Sequence, residues 1–323
     1  MLRSTLIYLS KAAWARRMVT GWGVARRVAL RFVAGESPEE AIQAIRGLND
    51  AGIFATLDHL GEHTTSPAEA AQSTADVLHI LDEIERAGVR SNVSIKLTQL
   101  GLGLDMDLCR GHLATILERA NRQGILVRID MEDSPYIDRT WQLYREMRAA
   151  GLDNVGVVVQ SYLYRTEADV AALMAEPSTA DTRVRLVKGA YLEPPELAYP
   201  DKRDVDASFD KLTATLIHAA LAAGAPSASP DGKIPAIPAI ATQDEARITF
   251  AVDYAQKVGL PKSALEFQML YGIRRDLQER LVQEGYPVRV YVPYGNEWYP
   301  YFMRRLAERP ANIWFFVSNF FKK

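Results

Sequence analysis

A single cysteine, Cys109, is present among 323 residues. This scarcity excludes an internal disulfide and is typical of proteins from a reducing compartment such as the cytoplasm. The five histidines are scattered, and no group of side chains has the spacing of metal ligands. We therefore expect no metal site.

Charge of one sign and long apolar runs are also missing. The formal net charge of −2 does not bias the molecule toward nucleic acid, so we expect no nucleic-acid partner. No apolar run reaches the roughly 20 residues that cross a bilayer. Neither GxGxxG nor GxxxxGK[ST] follows an apolar run, and "GLGLDM" at 101–106 lacks the third glycine. The usual dinucleotide and P-loop sites therefore have no support.

The first 35 residues differ from the rest of the chain. They carry seven Lys or Arg residues and no Asp or Glu. Three interpretations are open: a basic amphipathic helical arm packed on the body, a helix on the membrane surface, or a mitochondrial transit peptide. The membrane surface is favoured by apolar residues that alternate with arginines, namely Leu6, Ile7, Trp14, Trp22, Leu30 and Phe32.

From residue 50 onward, short apolar or β-branched runs recur at fairly regular intervals. They are "IFATLDH" (53–59), "VSIKLTQ" (93–99), "ILVRIDM" (125–131), "VGVVVQ" (155–160), "RVRLVKG" (183–189), "IPAIAT" (237–242), "LEFQML" (265–270) and "VRVYVPY" (288–294). Several stretches between them open with Ser or Asp and close at Gly, as helices do. This alternation predicts parallel βαβ units.

Eight such units predict an α/β fold, namely a (β/α)8 TIM-type barrel with additional N-terminal helices and a C-terminal helical tail. A doubly wound open sheet is the alternative. We expect a single domain over 1–323, made of an N-terminal helical arm (1–49), the barrel (50–310) and the tail (311–323).

Polar residues collect where the predicted strands end. In (β/α)8 enzymes the active site lies at the carboxyl ends of the strands, and polar groups inside a barrel cost free energy unless they are paired or used. The residues in question are Lys96, Asp130, Gln160, Arg185, Lys188, Thr242, Tyr291, Arg304 and Arg305. Each alone could be ordinary, but independent surface charges should not all fall at one end of different strands. We therefore expect one site.

Arg304 and Arg305 are adjacent on the helix predicted after the last strand. Guanidinium groups bind carboxylates and phosphates in a bidentate manner, so this pair and Lys96 suit an anion-binding clamp. Glu308 stands at i+4 from Arg304 and at i+3 from Arg305, where it could hold either guanidinium. With Tyr191 and Tyr291 as an apolar wall, the pocket suits a small amino or carboxylic acid.

Two mechanisms are compatible with this pocket. A Schiff-base aldolase would use Lys96 or Lys188 as its nucleophile. A flavin enzyme would instead use Gln160, Arg185, Lys188 and Thr242 to hold its cofactor. Spacing alone does not choose between them.

Six segments resemble the signature segments of the proline dehydrogenase family, and they occur in the family's order. They are "VSIKLTQLG", "RIDMEDS", "VVQSYLYRT", "RLVKGAY", "EFQMLYGI" and "YVPYGNEWYPYFMRRLAERPAN". The last is the most specific, and the match covers nearly all of the predicted barrel. The chain length and the wording of the last segment resemble the bacterial single-function branch, without an aldehyde dehydrogenase domain after the barrel.

The resemblance implies non-covalent FAD and oxidation of L-proline to Δ1-pyrroline-5-carboxylate, with hydride transfer from C5 of proline to N5 of the flavin. It implies catalytic roles for Asp130, Arg185 and Tyr291. The implied substrate-binding residues are Lys96, Tyr191, Leu270, Tyr291, Arg304 and Arg305. The implied flavin contacts are Met131, Gln160, Arg185, Lys188, Gly189, Ala190, Thr242 and Gln243.

One residue departs from the family pattern. The family usually has histidine after the Ala-Thr of strand 6, where this chain has Gln243 in "IATQD". Glutamine can donate a hydrogen bond but cannot carry a charge. We therefore expect FAD to bind with an altered contact at this position.

The resemblance also implies partners, because reduced flavin in this family typically passes electrons to a membrane quinone. We expect L-proline and a quinone as partners, and a cytoplasmic location with peripheral contact at the inner face of the membrane. The basic arm and the tail "NIWFFVSNFFKK" are the candidate contacts. Their packing on the barrel or on another copy in a homo-oligomer is the alternative. The functional alternatives are a related flavin barrel acting on hydroxyproline, the lysine aldolase, and a flavin- or membrane-binding protein without turnover.

Overall fold

The computed structural model describes residues 30–176 and 182–308. Within them, eight parallel strands close into a barrel in chain order, and β8 pairs with β1. The strands are β1 (Phe54–His59), β2 (Ser91–Ile95), β3 (Val127–Ile129), β4 (Val155–Gln160), β5 (Val184–Val187), β6 (Ala239–Ala241), β7 (Glu266–Leu270) and β8 (Val288–Tyr294). The predicted (β/α)8 fold is confirmed, and the open doubly wound sheet is wrong because the sheet closes.

A helix precedes β1, and helices follow each strand. They are α1 (Pro38–Asp50), α2 (Pro67–Ala87), α3 (Met106–Arg122), α4 (Ser134–Ala149), α5 (Thr166–Met174), α6 (Lys202–Ala222), α7 (Glu245–Val258), α8 (Arg275–Gln283) and α9 (Trp298–Glu308). Among the described residues, none of these helices is long and apolar enough to cross a membrane.

The helix boundaries follow from local hydrogen bonding. α1 begins at Pro38 because the Ser37 hydroxyl accepts from the backbone N–H of Glu40, and the Glu40 carboxylate accepts in return from the backbone N–H of Ser37. α2 ends at Ala87, because the φ of 62° at the following Gly88 lies in the left-handed region that glycine adopts without strain. These signals are readable in the sequence, which is why it predicts helices between the strands.

The apolar core lies between the strands and the helices around them. α1 buries Ala41, Ile42, Ile45 and Leu48 against this core. A second group of buried side chains, which we call the aromatic cluster, joins the chain before α1 to α9. Its members are Phe32, Val33, Leu60, Ile273, Trp298, Tyr299, Tyr301, Phe302 and Met303. The aromatic residues at the start of α9 are therefore part of a packed cluster.

The inside of the barrel is polar to an unusual degree, because such interiors are normally filled by Val, Ile and Leu. Successive side chains of a strand point to opposite faces, so residues two apart share the interior. A lower polar layer consists of Thr56, Asn92, Glu266 and Arg289. An upper polar layer, nearer the carboxyl ends, consists of Asp58, Ser94, Lys96, Asp130, Arg185, Gln268 and Tyr291. The upper layer is where the sequence predicts the site.

Candidate active site

Lys96 lies at the centre of the upper polar layer. It is the first residue after β2, and its Nζ is 3.2 Å from Asp58 Oδ1, 3.3 Å from Asp130 Oδ2 and 3.2 Å from Tyr291 Oη. These partners come from different strands, so they meet only across the barrel interior. Burial alone would lower the pKa of Lys96, but the two carboxylates raise it above its usual value. Lys96 is therefore a cation at neutral pH.

Asp130, the first residue after β3, joins four polar groups. Its Oδ1 accepts from Ser94 Oγ at 2.7 Å and from Arg185 Nη1 at 2.8 Å. Its Oδ2 accepts from Tyr291 Oη at 2.8 Å as well as from Lys96. Burial favours the neutral carboxyl, yet the charges of Lys96 and Arg185 and the hydrogen bonds lower the pKa of Asp130 below its ordinary range. An ionised Asp130 thus orients both cations and the tyrosine.

Asp58, on β1, is a member of the site that sequence reasoning missed. It is fully buried, and its two oxygens lie 3.2 and 3.3 Å from Lys96 Nζ. Burial, opposed by the charge of Lys96 and aided by that of Asp130, raises the pKa of Asp58 to about 6. The signal was present in the sequence, since Asp58 stands near the end of the first predicted strand.

Arg185, on β5, is held by three acceptors. Its Nε donates to Gln268 Oε1 at 2.6 Å, and its Nη1 donates to Asp130 and, at 3.3 Å, to Ser94 Oγ. Its guanidinium carbon lies 5.4 Å from the centre of the Tyr291 ring. Its Nη2 is buried without a hydrogen-bond partner among the described residues. This one nitrogen remains available to a bound molecule.

Arg304 forms a bidentate ion pair with Glu62. Its Nη1 and Nη2 lie 3.0 and 2.6 Å from the two carboxylate oxygens, although Glu62 belongs to the loop after β1. Burial would raise the pKa of Glu62, but Arg304 and then Lys96 lower it. Glu62 is a second residue missed from the sequence. The side chain of Glu308, the partner expected from helix spacing, lies outside the described part of the structure, so its role stays a prediction.

Arg305 is buried, and its guanidinium carbon lies 5.0 Å from the ring centre of Tyr301, four residues earlier on α9. This contact differs from that of Arg304, which faces Glu62. The shared clamp of Arg304 and Arg305 therefore stays a prediction, whereas Arg304 and Lys96 both interact with the charge of Glu62.

The predicted apolar wall is partly assembled. Leu270 and Tyr291 pack against the aromatic cluster. Because Tyr291 belongs to the upper polar layer, the cluster lies beside that layer. Burial, followed by the charges of Glu62 and Glu132, raises the pKa of Tyr191 well above its ordinary value. Tyr191 is therefore un-ionised, and it stands close enough to these charges to belong to the same site.

Glu132 is a further buried carboxyl that sequence reasoning did not assign. Its oxygens accept from the backbone N–H of Thr98 at 3.0 Å and from the Thr98 hydroxyl at 2.5 Å. Burial, only partly offset by these two bonds, raises the pKa of Glu132 to about 7. Its backbone carbonyl accepts from Gln160 Nε2 at 3.0 Å.

Of the residues expected to contact flavin, Arg185 belongs to the upper polar layer, and the others have separate contacts. Lys188 Nζ lies 2.5 Å from Asp206 and 2.6 Å from Asp244, and Thr242 Oγ1 accepts from the backbone N–H of Asp244 at 3.1 Å. Gly189 has a φ of 117°, Met131 is buried, and Ala190 and Gln243 are half-buried. Sequence reasoning missed Asp206 and Asp244, which hold Lys188 here.

The described residues contain no group of three or more His, Cys, Asp or Glu side chains suited to a metal ion. The charges of the site are instead organised as pairs of cations and carboxylates inside a closed barrel. A (β/α)8 barrel with such a network at the carboxyl ends of its strands has the architecture of the barrel enzymes.

Comparisons with known proteins define the family. The sequence profile of the proline dehydrogenase family matches residues 41–317. Proline dehydrogenase 2 of Bacillus subtilis is 39% identical over 321 residues, which cover 99% of each chain. Proline dehydrogenase of Deinococcus radiodurans is 42% identical over 299 residues, covering 91% of this chain and 90% of the other. The chain belongs to the proline dehydrogenase family, and it is an enzyme.

A solved structure agrees with this assignment. Proline utilization A from Bdellovibrio bacteriovorus, inactivated by N-propargylglycine, superposes with a TM-score of 0.77 at 26% identity. The match covers 88% of this chain and 33% of that longer chain. The family resemblance predicted from the six segments is confirmed.

Proposed function

We propose that this protein oxidises L-proline to Δ1-pyrroline-5-carboxylate with FAD as its cofactor, as the first step of proline catabolism. The observation that carries the proposal is the buried network of Lys96, Asp130, Arg185 and Tyr291, which lie on four strands or directly after them. It supplies fixed positive charge for a small carboxylate and keeps one guanidinium nitrogen unused.

The substrate carboxylate is the group that Lys96 and Arg304 would bind. An arginine side chain has five N–H donors, and Glu62 takes two hydrogen bonds from Arg304. Donors of Arg304 therefore remain for a carboxylate, and Arg305 would add a further one. Tyr191, Leu270 and Tyr291 would enclose the aliphatic ring, because they combine apolar surface with polar tips.

FAD would be held by residues whose chemistry suits it. The unused Nη2 of Arg185 is a buried donor that an acceptor atom of the cofactor would satisfy. Lys188, with Gln160 and Gln243, would supply charge and hydrogen bonds to its polar groups. When bound, FAD supplies the hydride acceptor that no side chain of this protein can provide.

The chain's own groups would bind the substrate and control its protons. Lys96 and Arg304 would place positive charge beside the substrate amine, which favours loss of its proton. Asp130 stays ionised and holds Lys96, Arg185 and Tyr291 in one arrangement. The chemistry thus depends on fixed charges whose orientation is set before the substrate arrives.

The lysine aldolase has little support from this geometry. A Schiff-base nucleophile must be a neutral amine, whereas Lys96 lies between two carboxylates that raise its pKa. Lys188 also lies between two carboxylates, because its Nζ forms ion pairs with Asp206 and Asp244.

The deciding experiment uses the purified protein incubated with FAD. We expect a yellow protein whose flavin absorbance bleaches anaerobically on addition of L-proline and much less with hydroxyproline. A protein that stays colourless after added FAD would contradict the proposal. Trapping of a lysine adduct by borohydride would then support the aldolase.

We further propose a membrane quinone as the electron acceptor, with the protein in the cytoplasm and in peripheral contact with the membrane. The family resemblance and the basic composition of residues 1–35 support this proposal. Most of that segment and the tail lie outside the described residues, and contact with another copy of the chain stays a prediction. Sedimentation with anionic lipid vesicles, and proline-dependent reduction of a quinone within them, would test it; neither would occur if the acceptor is in solution.

A further inference from the structure

A continuous chain of buried hydrogen bonds connects Arg289 and Glu266, in the lower polar layer, to Arg185 in the upper one. Arg289 Nε donates to Glu266 Oε1 at 2.7 Å, and Gln268 Nε2 donates to the same oxygen at 2.6 Å. Gln268 Oε1 then accepts from Arg185 Nε at 2.6 Å. Gln268 thus joins the lower polar layer to the upper one.

The direction of each hydrogen bond in this chain is fixed by the groups at its two ends. A guanidinium donates and never accepts, so the carbonyl of the Gln268 amide must face Arg185. Burial would raise the pKa of Glu266, but Arg289 lowers it, so the carboxylate is ionised and only accepts. The NH2 group of Gln268 must therefore face Glu266. Neither end of the amide can be exchanged without placing two donors or two acceptors together.

Glu266 is itself held firmly. Its other oxygen accepts from the backbone N–H of Ala236 at 3.1 Å, and Arg289 also donates to the carbonyls of Ala55 at 2.7 Å and Gly232 at 2.8 Å. Glu266 and Arg289 are fully buried, and Gln268 is nearly so. Glu266 is thus a fixed point to which the amide of Gln268 is attached.

Arg185 has two acceptor-bound nitrogens and one that is left over. Gln268 binds Nε, while Asp130 and Ser94 bind Nη1. Because a guanidinium is planar, acceptors on two of its nitrogens define the direction of the third. Asp130 and Ser94 both contact Nη1, so without Gln268 the group could turn about that one nitrogen.

From this arrangement we propose that Gln268, anchored by Glu266, is a positioning residue that fixes the orientation of Arg185 and directs its Nη2 to the reaction centre. The proposal rests on the proposed function for the identity of that centre. Gln268 acts only through Arg185, and it was not among the residues assigned from the sequence.

The first test measures Arg185 itself and does not depend on flavin. In the wild-type protein, the Nε–H signal of Arg185 in 15N NMR, assigned by its loss in Arg185→Lys, should exchange slowly with solvent. In Gln268→Met, which keeps the chain length and removes the acceptor, that signal should exchange much faster. Unchanged slow exchange would overturn the proposal.

The second test measures the consequence in the FAD-loaded protein. With the acceptor lost, the equilibrium constant for flavin reduction, measured without proline, should fall about tenfold, which is about 30 mV for a two-electron couple. The kcat should fall about 10- to 100-fold, as expected for loss of a hydrogen bond to a charged group, and KM for proline should change much less. In an Arg185→Lys background, Gln268→Met should have little further effect on either quantity.

Asn154→Leu is the control. Asn154 donates through its side-chain amide to the carbonyls of Leu117 at 3.0 Å and Ile125 at 3.2 Å, away from the polar layers. Its loss should lower stability without altering the flavin potential or the Arg185 signal. If Gln268→Met does not fold, Gln268→Asn serves instead, because its shorter amide cannot reach both partners.

The outcomes separate the two proposals. Wild-type protein that takes up no FAD would contradict the proposed function. The NMR experiment would still test whether Gln268 fixes the orientation of Arg185. Wild-type protein that is reduced by proline, with Gln268→Met equal to it in potential and kcat, would leave the function standing and overturn the role of Gln268.

Discussion

Lys96 shows how a single residue acquires its charge from distant parts of the chain. A buried lysine tends to lose its proton, because burial disfavours the charged form. Here Asp58 and Asp130 reverse that tendency, and the hydroxyl of Tyr291 completes the contacts of Nζ. The hydroxyl also donates to Asp130 at 2.8 Å, and the carboxylate keeps it un-ionised, since burial and then the charge of Asp130 raise the pKa of Tyr291.

Tyr291→Phe should therefore reduce turnover more than substrate affinity. The variant keeps the aromatic ring but removes a donor to an ionised carboxylate, a loss of about 1.5–3 kcal/mol, which corresponds to about 10- to 100-fold in rate. Steady-state kinetics with proline would measure kcat and KM separately.

Tyr286→Phe is the matched control for this prediction. Tyr286 is also buried, but it packs edge-on against Phe267 and its hydroxyl has no hydrogen bond among the described contacts. Equal kinetic losses in the two variants would show that the Tyr291 hydroxyl has no special role.

At the scale of elements, β3 and β4 fit together through an arginine and a glycine. Arg128 is fully buried on β3, and its Nη1 donates to the carbonyls of Val157, at 3.1 Å, and Arg183. Gly156 is paired with Arg128 in the sheet, and a Cβ on it would lie 2.5 Å from Nη1 of Arg128 and 2.6 Å from the carbonyl oxygen of Arg183. The glycine in "VGVVVQ" therefore makes room for a guanidinium.

Gly156→Ala should destabilise the protein by about 1–3 kcal/mol, the usual cost of an extra methyl group in a packed interior. Denaturant unfolding followed by circular dichroism would measure the change in free energy of unfolding. Gly47→Ala is the control, because Gly47 lies within α1 and its added Cβ would meet no atom within 4 Å. That variant should gain up to about 1 kcal/mol. A Gly156→Ala variant as stable as Gly47→Ala would show that β3 and β4 adjust freely.

At the scale of the whole molecule, the free energy of unfolding depends on pH through two kinds of buried carboxyl group. In one kind the pKa is raised, and in the other it is lowered. Burial raises the pKa of Glu132 to about 7 and that of Asp58 to about 6, so the folded protein holds protons that the unfolded chain has released. Their contribution is present in mild acid and is lost as pH rises through these values. In Asp130, Glu62 and Glu266, burial is outweighed by cations that lower the pKa, so their contribution is lost as pH falls below the ordinary carboxyl range.

Glu132→Gln should therefore flatten the fall in stability between pH 4.5 and about pH 7. The pKa of Glu132 rises from 4.5 to about 7, and at about 1.4 kcal/mol per unit this amounts to roughly 3 kcal/mol. The amide can still accept from the backbone of Thr98 and donate to its hydroxyl. Urea unfolding at a series of pH values would measure the effect.

Glu193→Gln provides the comparison. Glu193 also accepts from the backbone N–H and the hydroxyl of one residue, Ser134, both at 2.7 Å, but it is more exposed. Its variant controls for replacing a carboxylate that accepts from a backbone N–H and a hydroxyl. A Glu132→Gln variant with the same pH dependence as wild type would show that Glu132 is not the group that titrates.

Local patterns in the sequence determined the strands and helices of this protein. Period-two apolar runs and helix caps depend on neighbouring residues, so they can be read without knowing the fold. The second strand was predicted at 93–99 but lies at Ser91–Ile95, because residues 97–104 form turns rather than extended chain. Polar residues spaced two apart, such as Thr56 and Asp58 or Glu266 and Gln268, share one face of a strand. This pattern indicates the polar layers, although it was not used to predict them.

Only the tertiary structure decided which charges meet. The carboxylate that binds Arg304 is that of Glu62, 242 residues away in the chain. Lys96 and Tyr291 are likewise separated by 195 residues. The sequence could place such groups at one end of the barrel, since parallel strands share their direction. Their pairing depends on closure of the sheet and on side-chain reach across its interior, which no local pattern contains.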